Sequence, residues 1–220
     1  MILLHTLLLV FALAPSMQEM LREYRLQLKA DALYEHRAYH EAETVFRQIA
    51  ALPAQKGSAS TSFNLACSLY MQGKYPEATT LFSFSAKPGN KELALRLNAI
   101  FNEGNALAMR AMGSNEKAEK KILFHQSLNR FKTVLLTDPG ENDAKINYEI
   151  VRRYLDELER SELPRSGSET KSAPPPPSGI SQDTADRLLE NARQNESALM
   201  KRLPRTGKAA AQDSKNTQDW

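Results

Sequence analysis

Residues 35–41, "EHRAYHE", hold the residue types in this chain that are best suited to metal chemistry. His36 and His40 are four residues apart, with Glu35 and Glu41 beside them. On one continuous helix, imidazoles at this spacing share a face and could bind one metal ion. The same stretch also matches a turn between two helices, which would separate the rings. The turn is the favoured interpretation, so we expect no metal site here.

The other reactive side chains do not form a recognisable catalytic group. Cys67 is the only cysteine; it lies in an apolar stretch with no histidine near it in sequence, which predicts a buried thiol. Glu41 and Glu43 are two residues apart and would project from different sides of a helix, and His125 stands alone. The sequence has no glycine-rich phosphate loop and no His-Glu-x-x-His zinc motif. We therefore expect a non-enzymatic protein without a cofactor.

Composition and charge are those of an ordinary soluble protein. The 220 residues are 41% hydrophobic and 25% charged, and the net charge is +3. Lysine and arginine alternate with acidic residues instead of forming a basic stripe, which argues against nucleic-acid binding. A single cysteine excludes an internal disulfide and a metal site built from several cysteines.

The N-terminal segment is far more apolar than the rest. Residues 2–14, "ILLHTLLLVFALA", contain only His5 and Thr6 as polar residues. The run is shorter than the roughly twenty residues of a membrane span, and it matches the apolar region of a secretory signal. No lysine or arginine precedes it, and Pro15 follows it. We interpret residues 1–16 as a signal peptide or a retained membrane anchor of an exported protein. The alternative is the hydrophobic start of a helix that packs on the fold.

Apolar residues recur at helical spacing from Gln18 to Glu159, and no stretch alternates as a strand would. This pattern predicts an all-α domain over residues 17–160. Glycine, proline and asparagine interrupt it at five places, which predict the helix breaks. These places are 53–58, Gly73, 87–90, 113–115 and 138–140.

The composition changes after the helical region. Residues 161–180 contain "LPRSGSETKSAPPPPSG", which cannot bury enough apolar surface to fold and is interpreted as a disordered spacer. Residues 181–204 predict an isolated amphipathic helix, with Ser181 as its N-cap. Its apolar stripe consists of Ala185, Leu188, Leu189, Ala192, Leu199, Met200 and Leu203.

The polar tail, 205–220, is predicted to be disordered and contains Trp220, the only tryptophan. Together the helix and this tail predict a docking module for a partner protein; the alternatives are a helix that folds back on the helical domain, or a tail that simply stays disordered.

Three stretches of the helical region repeat one pattern of small, aromatic and proline residues. Small residues are predicted where two helices cross, because they let the backbones approach. These residues are Ala30, Ala66 and Gly104 in the first helices and Ala42, Ala78 and Ser127 in the second. The aromatic positions are Tyr39 and Tyr75, then Phe46, Phe82 and Phe131, and the closing prolines are Pro53, Pro88 and Pro139.

This pattern resembles the tetratricopeptide repeat, a helix-turn-helix unit of 34 residues, over about residues 26–148. The resemblance implies about three stacked hairpins, closed by a capping helix that begins near Asp143. Ala42 and Ala78 are 36 residues apart, but Ala78 and Ser127 are 49 apart. The third unit therefore carries an insertion, "GSNEKAEKK", which is predicted to lengthen its turn and its second helix.

The repeat register also predicts the residues that line the concave face of such an array. They are Tyr24, Gln27, Asp31, Tyr34, Phe63, Asn64, Cys67, Tyr70, Asn98, Phe101, Asn102 and Asn105, with Asn147 at the same repeat position as Asn64 and Asn102. An asparagine there could bond a peptide backbone through both its amide and its carbonyl. Related proteins use lysines near this face to clamp a terminal carboxylate, but here the neighbouring positions hold Phe63 and Phe101. We therefore expect a groove of aromatic and amide side chains that binds an apolar or polar segment. The alternatives are that the asparagines only fix neighbouring helices and, as the favoured interpretation, that the phenylalanines belong to the core.

Several segments together resemble one subfamily, the small tetratricopeptide proteins of the Bacteroides aerotolerance operon, or Bat proteins. They are the apolar N-terminus, "FNLA", "FNEGNALA", "DPGENDAKINYEIV", the Pro-rich linker, "RLLENARQNESALMKRL" and "QDW". Proteins of that family are encoded beside a MoxR-type ATPase and membrane proteins with von Willebrand A domains. The resemblance implies a scaffold in the periplasm or at the inner membrane, with those membrane proteins as partners and a role in stress tolerance. The alternative is a periplasmic chaperone-like protein that holds unfolded or oxidised clients.

Overall fold

The computed structural model describes the backbone of residues 2–161 and the side chains of residues 17–161. In this part of the chain all regular structure is helical, which confirms the all-α prediction. The α-helices are α1 (Ile2–Glu35), α2 (Tyr39–Ala50), α3 (Ala59–Met71), α4 (Tyr75–Ser85), α5 (Leu93–Gly113), α6 (Lys117–Thr137) and α7 (Asn142–Arg160), and a short 3-10 helix covers Pro53–Gln55. All five predicted breaks fall at or between helix ends. The predicted spacer, the 181–204 helix and the tail lie outside the described residues.

The helices form successive antiparallel hairpins that stack in chain order. Three-residue turns join α1 to α2, α3 to α4 and α5 to α6. Each second helix then packs on the first helix of the next hairpin, and α5 also contacts α3 and α7. The first helices α3, α5 and α7 thus lie side by side in one layer. This arrangement is a helical-repeat architecture.

The first two hairpins repeat the same local geometry at an interval of 36 residues. Their turns contain one residue each with a left-handed backbone, Arg37 at φ 60° and Gly73 at φ 75°. Glycine adopts this conformation without steric cost, whereas arginine does not. The two turns therefore share the same backbone conformation although the residues at this position differ. Other fully or almost fully buried positions match at the same interval: Ala30 and Ala66, Ala42 and Ala78, and Phe46 and Phe82.

The third hairpin differs in the length of its helices. Both α5 and α6 have 21 residues, whereas α3 has 13 and α4 has 11. The prediction of a longer second helix is confirmed, but the prediction of a longer turn is wrong, because the turn again has three residues. The physical reason is that "KAEKK", residues 117–121, consists of good helix formers and contains no breaker, so these residues extend α6.

At Gly104 the two helices of the third hairpin pack closely against each other. A Cβ atom placed on Gly104 would lie 2.8 Å from Cε1 of Phe131, which is fully buried on α6. The hydroxyl of Ser127, also on α6, donates a hydrogen bond of 2.8 Å to the Gly104 carbonyl oxygen. Since the ring occupies the space of a side chain, only glycine fits at this crossing of α5 and α6.

Helix α1 begins within the apolar N-terminal segment and continues through the boundary expected at residues 16 and 17. Its backbone is helical from Ile2 to Glu35, which gives a length of about 50 Å. As far as the structure describes the helices, none is long and apolar enough to cross a membrane.

Candidate functional site

The aromatic residues of the predicted groove pack inside their own hairpins. Phe63 is fully buried and meets Phe82 edge to face, with ring centroids 5.5 Å apart. Phe101 is 8% exposed, and its ring is tilted against Phe131 at 5.7 Å. These pairs join α3 to α4 and α5 to α6. Their rings are core residues and have little surface left for a ligand.

Two of the three groove tyrosines, Tyr34 and Tyr70, are also buried. Tyr34 is 6% exposed and contacts Tyr39 edge to face at 5.2 Å; Tyr70 is 1% exposed and contacts Tyr75 at 5.3 Å. In both hairpins the first tyrosine is the second-to-last residue of the first helix, and the second tyrosine is the first residue of the next helix. Cys67, also on α3, is fully buried.

Three of the five groove asparagines form a hydrogen-bonded row that links α7 to α5. Asn147 on α7 donates through Nδ2 to Oδ1 of Asn105 on α5, at 2.8 Å. Asn105 in turn donates to Oδ1 of Asn102, at 3.3 Å. All three side chains are almost completely buried. This row of amides links the capping helix to the third hairpin.

Two buried carbonyl oxygens of this set have no hydrogen-bond partner in the described part of the chain. They are Oδ1 of Asn64 on α3 and Oδ1 of Asn147 on α7. An unpaired buried acceptor costs roughly 1–3 kcal/mol, so most such atoms are satisfied in folded proteins. Both therefore retain unused capacity to accept an N–H donor.

Four of the predicted groove residues reach solvent. Tyr24 on α1 is 53% exposed, and Gln27, Asp31 and Asn98 are half-buried. Gln27 donates through Nε2 to Oδ1 of Asp31, at 2.9 Å. The accessible part of the predicted groove is therefore a polar strip with one aromatic ring, that of Tyr24. The rings of Phe63 and Phe101 lie beneath the surface.

The histidine pair considered for metal binding does not lie on one helix. His36 is in the turn after α1, whereas His40 is the second residue of α2. Among the described residues there is no group of three or more histidine, cysteine, aspartate or glutamate side chains placed to hold a metal ion.

Sequence reasoning missed a charged cluster around Glu43, which joins the first hairpin to the turn of the second. The carboxylate of Glu43 accepts from Lys74 Nζ at 2.6 Å, from Gln72 Nε2 at 2.9 Å and from Arg47 Nε at 2.9 Å. Glu43 itself is only 7% exposed. The nearest signal in the sequence is two polar side chains in the α3–α4 turn, Gln72 and Lys74, but nothing local shows that they reach α2.

The cluster keeps Glu43 ionised. Burial alone would raise the pKa of this carboxyl, but the hydrogen bonds from Lys74, Gln72 and Arg47 outweigh it and lower the pKa from 4.5 to about 2. A carboxylate held in this state does not donate a proton near neutral pH. Its role is to bind two hairpins together.

A second buried carboxylate, Glu103 on α5, is held much less well. It is 4% exposed and forms one ion pair, 3.0 Å long, with Nη2 of Arg130 on α6. Its other oxygen, Oε2, is buried and has no hydrogen-bond partner in the described residues. Burial raises the pKa of Glu103, and the Arg130 guanidinium and the Ser83 side chain only partly oppose this rise. The ionised form is therefore less favourable in the folded protein than in the unfolded chain.

We predict that Glu103→Gln leaves the protein as stable as the wild type at pH 7, or more stable by up to about 1 kcal/mol. The raised pKa means that ionisation of Glu103 costs stability as the pH increases past 4.5. Glutamine avoids this cost. Arg130 loses its ionic partner in the variant, but its side chain is exposed enough for water to hydrate the charge. The free energy of unfolding from urea titrations measures the effect, with the exposed Glu41→Gln as a control. A loss of more than about 1 kcal/mol would show that the ion pair is net stabilising.

Comparisons with protein-family models, with curated proteins and with solved structures find no match to this chain.

Proposed function

We propose that this chain is a tetratricopeptide-type adaptor that binds other proteins and catalyses no reaction. The observation that carries the proposal is the 36-residue recurrence of buried small crossing residues and of the left-handed turn at Arg37 and Gly73. Stacked hairpins of this kind present their first helices as one extended surface, which suits an elongated partner segment. The repeat pattern of the sequence supports the same assignment.

The partner segment would lie along the first helices α1, α3, α5 and α7. Tyr24, Gln27, Asp31 and Asn98 supply its exposed contacts, and Tyr24 supplies most of its apolar area. The unpaired Oδ1 of Asn64 can accept a backbone N–H of the segment after a rotation of its side chain. The surface carries amides and one carboxylate, so it suits a polar segment with an aromatic or aliphatic anchor.

The partners that the sequence resemblance favours are von Willebrand A-domain membrane proteins of an aerotolerance or stress-resistance system. In this proposal the chain is exported and acts in the periplasm or at the inner membrane of the bacterial envelope. Leu188, Leu189, Leu199, Leu203 and Trp220, which lie outside the described residues, would form a second docking element for such a complex.

A binding experiment with the full chain and a purified von Willebrand A domain from the same genome tests the proposal. Tyr24→Ala combined with Asn98→Ala should weaken binding at least about tenfold, because a buried aromatic anchor contributes more than about 1 kcal/mol to an interface. The matched control is Ile122→Ala, since Ile122 is similarly exposed, at 57%, but lies on the second helix α6. Isothermal titration calorimetry gives the dissociation constants.

Two results would count against the adaptor. One is that no stoichiometric complex forms, or that the Ile122 variant loses as much affinity as the groove variant. The other favours the chaperone-like alternative: suppression of aggregation of unrelated unfolded proteins that is unaffected by the groove changes and by Trp220→Ala.

A further inference from the structure

A cleft of about 360 Å³ lies at the end of the helical array, between α5, α6 and α7. Met112 from the end of α5, Phe124 from the second turn of α6 and Leu158 from the end of α7 form its apolar lining. Ser161, the last described residue, also lines it. The chain that follows α7 therefore starts at this cleft, which we call the terminal cleft.

The lining of the terminal cleft favours an aromatic occupant. Phe124 and Tyr154 stack in it, with centroids 5.7 Å apart and planes 21° from parallel. Met112, Lys120 and Glu157 line the same space. Stacked rings, a thioether sulfur and a cation each attract a further aromatic ring more strongly than they attract an aliphatic chain.

The same cleft contains an unsatisfied polar group. Tyr154 is 9% exposed, and its hydroxyl is buried with no hydrogen-bond partner in the part of the chain that the structure describes. A leucine packed into the cleft would leave this hydroxyl unpaired, at a cost of roughly 1–3 kcal/mol. An indole ring can fill the apolar space and, after a rotation of the Tyr154 side chain that opens its hydroxyl to the cleft, donate its Nε1–H to the phenolic oxygen.

We propose that the terminal cleft is a docking site for the indole of Trp220 of the same chain. Trp220 is the only aromatic residue in the 59 positions after Ser161, so it is the one side chain of this segment that meets both requirements of the lining. Fully extended, those positions span at most about 200 Å, so the tether permits the contact. Attachment at Ser161 also makes the docking intramolecular, which raises the local concentration of the indole at the cleft.

This docking would control the second docking element of the proposed adaptor. A partner that binds Trp220 must first remove it from the terminal cleft, so the two sites compete for one side chain. That consequence rests on the proposed function, whereas the docking itself concerns the free protein alone.

The fluorescence of Trp220 tests the proposal in the intact chain, because no other tryptophan contributes. In the native protein we expect its emission at shorter wavelength, and its quenching by acrylamide several-fold weaker, than in the urea-unfolded chain. Leu158→Asp should raise the quenching to the unfolded level. Tyr154→Phe, which removes only the hydroxyl, should raise it partly. The matched control is Ile146→Asp, an exposed apolar position on the same helix, which should change nothing.

Each other outcome would overturn the proposal. Quenching in the native protein equal to that in urea would mean that Trp220 is undocked. If Trp220 stays protected from acrylamide in both cleft variants, the indole binds at another site. If its protection increases with protein concentration, the indole binds to a second copy of the chain. Circular dichroism checks that each variant is folded, and Lys120→Ala serves in place of Leu158→Asp if that variant unfolds. Failure to bind a von Willebrand A domain leaves all these readouts unchanged.

Discussion

Gly104→Ala is expected to destabilise the protein by about 2 kcal/mol, although alanine is the better helix former by about 1 kcal/mol. The added methyl group would lie 2.8 Å from Cε1 and 3.0 Å from Cζ of Phe131. Because Phe131 is fully buried and packed against Phe101, its ring has no free space to move into. Either α5 and α6 move apart or the ring leaves its preferred rotamer, and both cost stability. Urea unfolding followed by far-ultraviolet circular dichroism measures the loss.

The matched control for this prediction is Gly113→Ala in the same helix. A Cβ atom on Gly113 meets nothing within 4 Å, so this variant should be unchanged or slightly more stable. A double variant adds a second test, since Phe131→Leu gives the new methyl group room. Gly104→Ala should therefore cost less in the Phe131→Leu background than in the wild type. If Gly104→Ala proves as stable as the wild type, the close contact of α5 and α6 at this crossing is refuted.

Glu43→Gln should lower the free energy of unfolding at pH 7 by about 2 kcal/mol. A pKa lowered from 4.5 to about 2 corresponds to an upper bound of about 3 kcal/mol. Lys74 and Arg47 are nearly half exposed, and solvent screening reduces that figure. Glutamine keeps the size of the side chain but offers no charge to the two cations. The change should therefore weaken the contact between α2 and the α3–α4 turn.

The effect of Glu43→Gln should depend on pH in one direction. The folded protein lowers the pKa of Glu43, so its contribution is complete above pH 4.5 and disappears as the pH falls towards 2. The stability curves of the wild type and the variant should therefore converge between pH 4.5 and pH 2. The exposed Glu41→Gln on the same helix is the control and should follow the wild type. Parallel curves down to pH 2 would show that the charge of Glu43 does not stabilise the fold.

The opposite expectations for Glu43→Gln and Glu103→Gln come from the same physics. Both carboxylates are buried, but Glu43 accepts hydrogen bonds from Lys74, Gln72 and Arg47, whereas Glu103 has one ion pair with Arg130 and a hydrogen-bond interaction with Ser83, which do not offset its burial. Hydrogen bonds to the charged form repay its desolvation in the first case and not in the second. Measuring the two variants side by side therefore tests whether the hydrogen-bond partners of the buried carboxylate decide if its replacement by glutamine lowers or raises the free energy of unfolding.

The sequence alone determined the helical class, the places of the helix breaks and the small residues at the crossings. These features follow from short-range signals. Glycine and proline interrupt helices wherever they stand, and apolar spacing shows which side of a helix is buried. Ala42 and Ala78 are fully buried for this reason, and the short turn at Gly73 required only a residue that tolerates a positive φ. The helix-forming residues 117–121 could also have indicated that α6 starts early.

Only the tertiary structure decided which polar groups meet. The bond between Asn105 and Asn147 joins residues 42 positions apart, and that between Lys74 and Glu43 joins residues 31 apart. Both depend on the angle and offset at which one hairpin stacks on the next, and no local pattern contains that information. Packing within each hairpin buries the rings of Phe63 and Phe101, whereas Tyr24 stays exposed. The packing of α7 on the third hairpin creates the terminal cleft. Local spacing specifies one face of a helix, whereas the neighbouring helices determine how much of that face stays open to a partner.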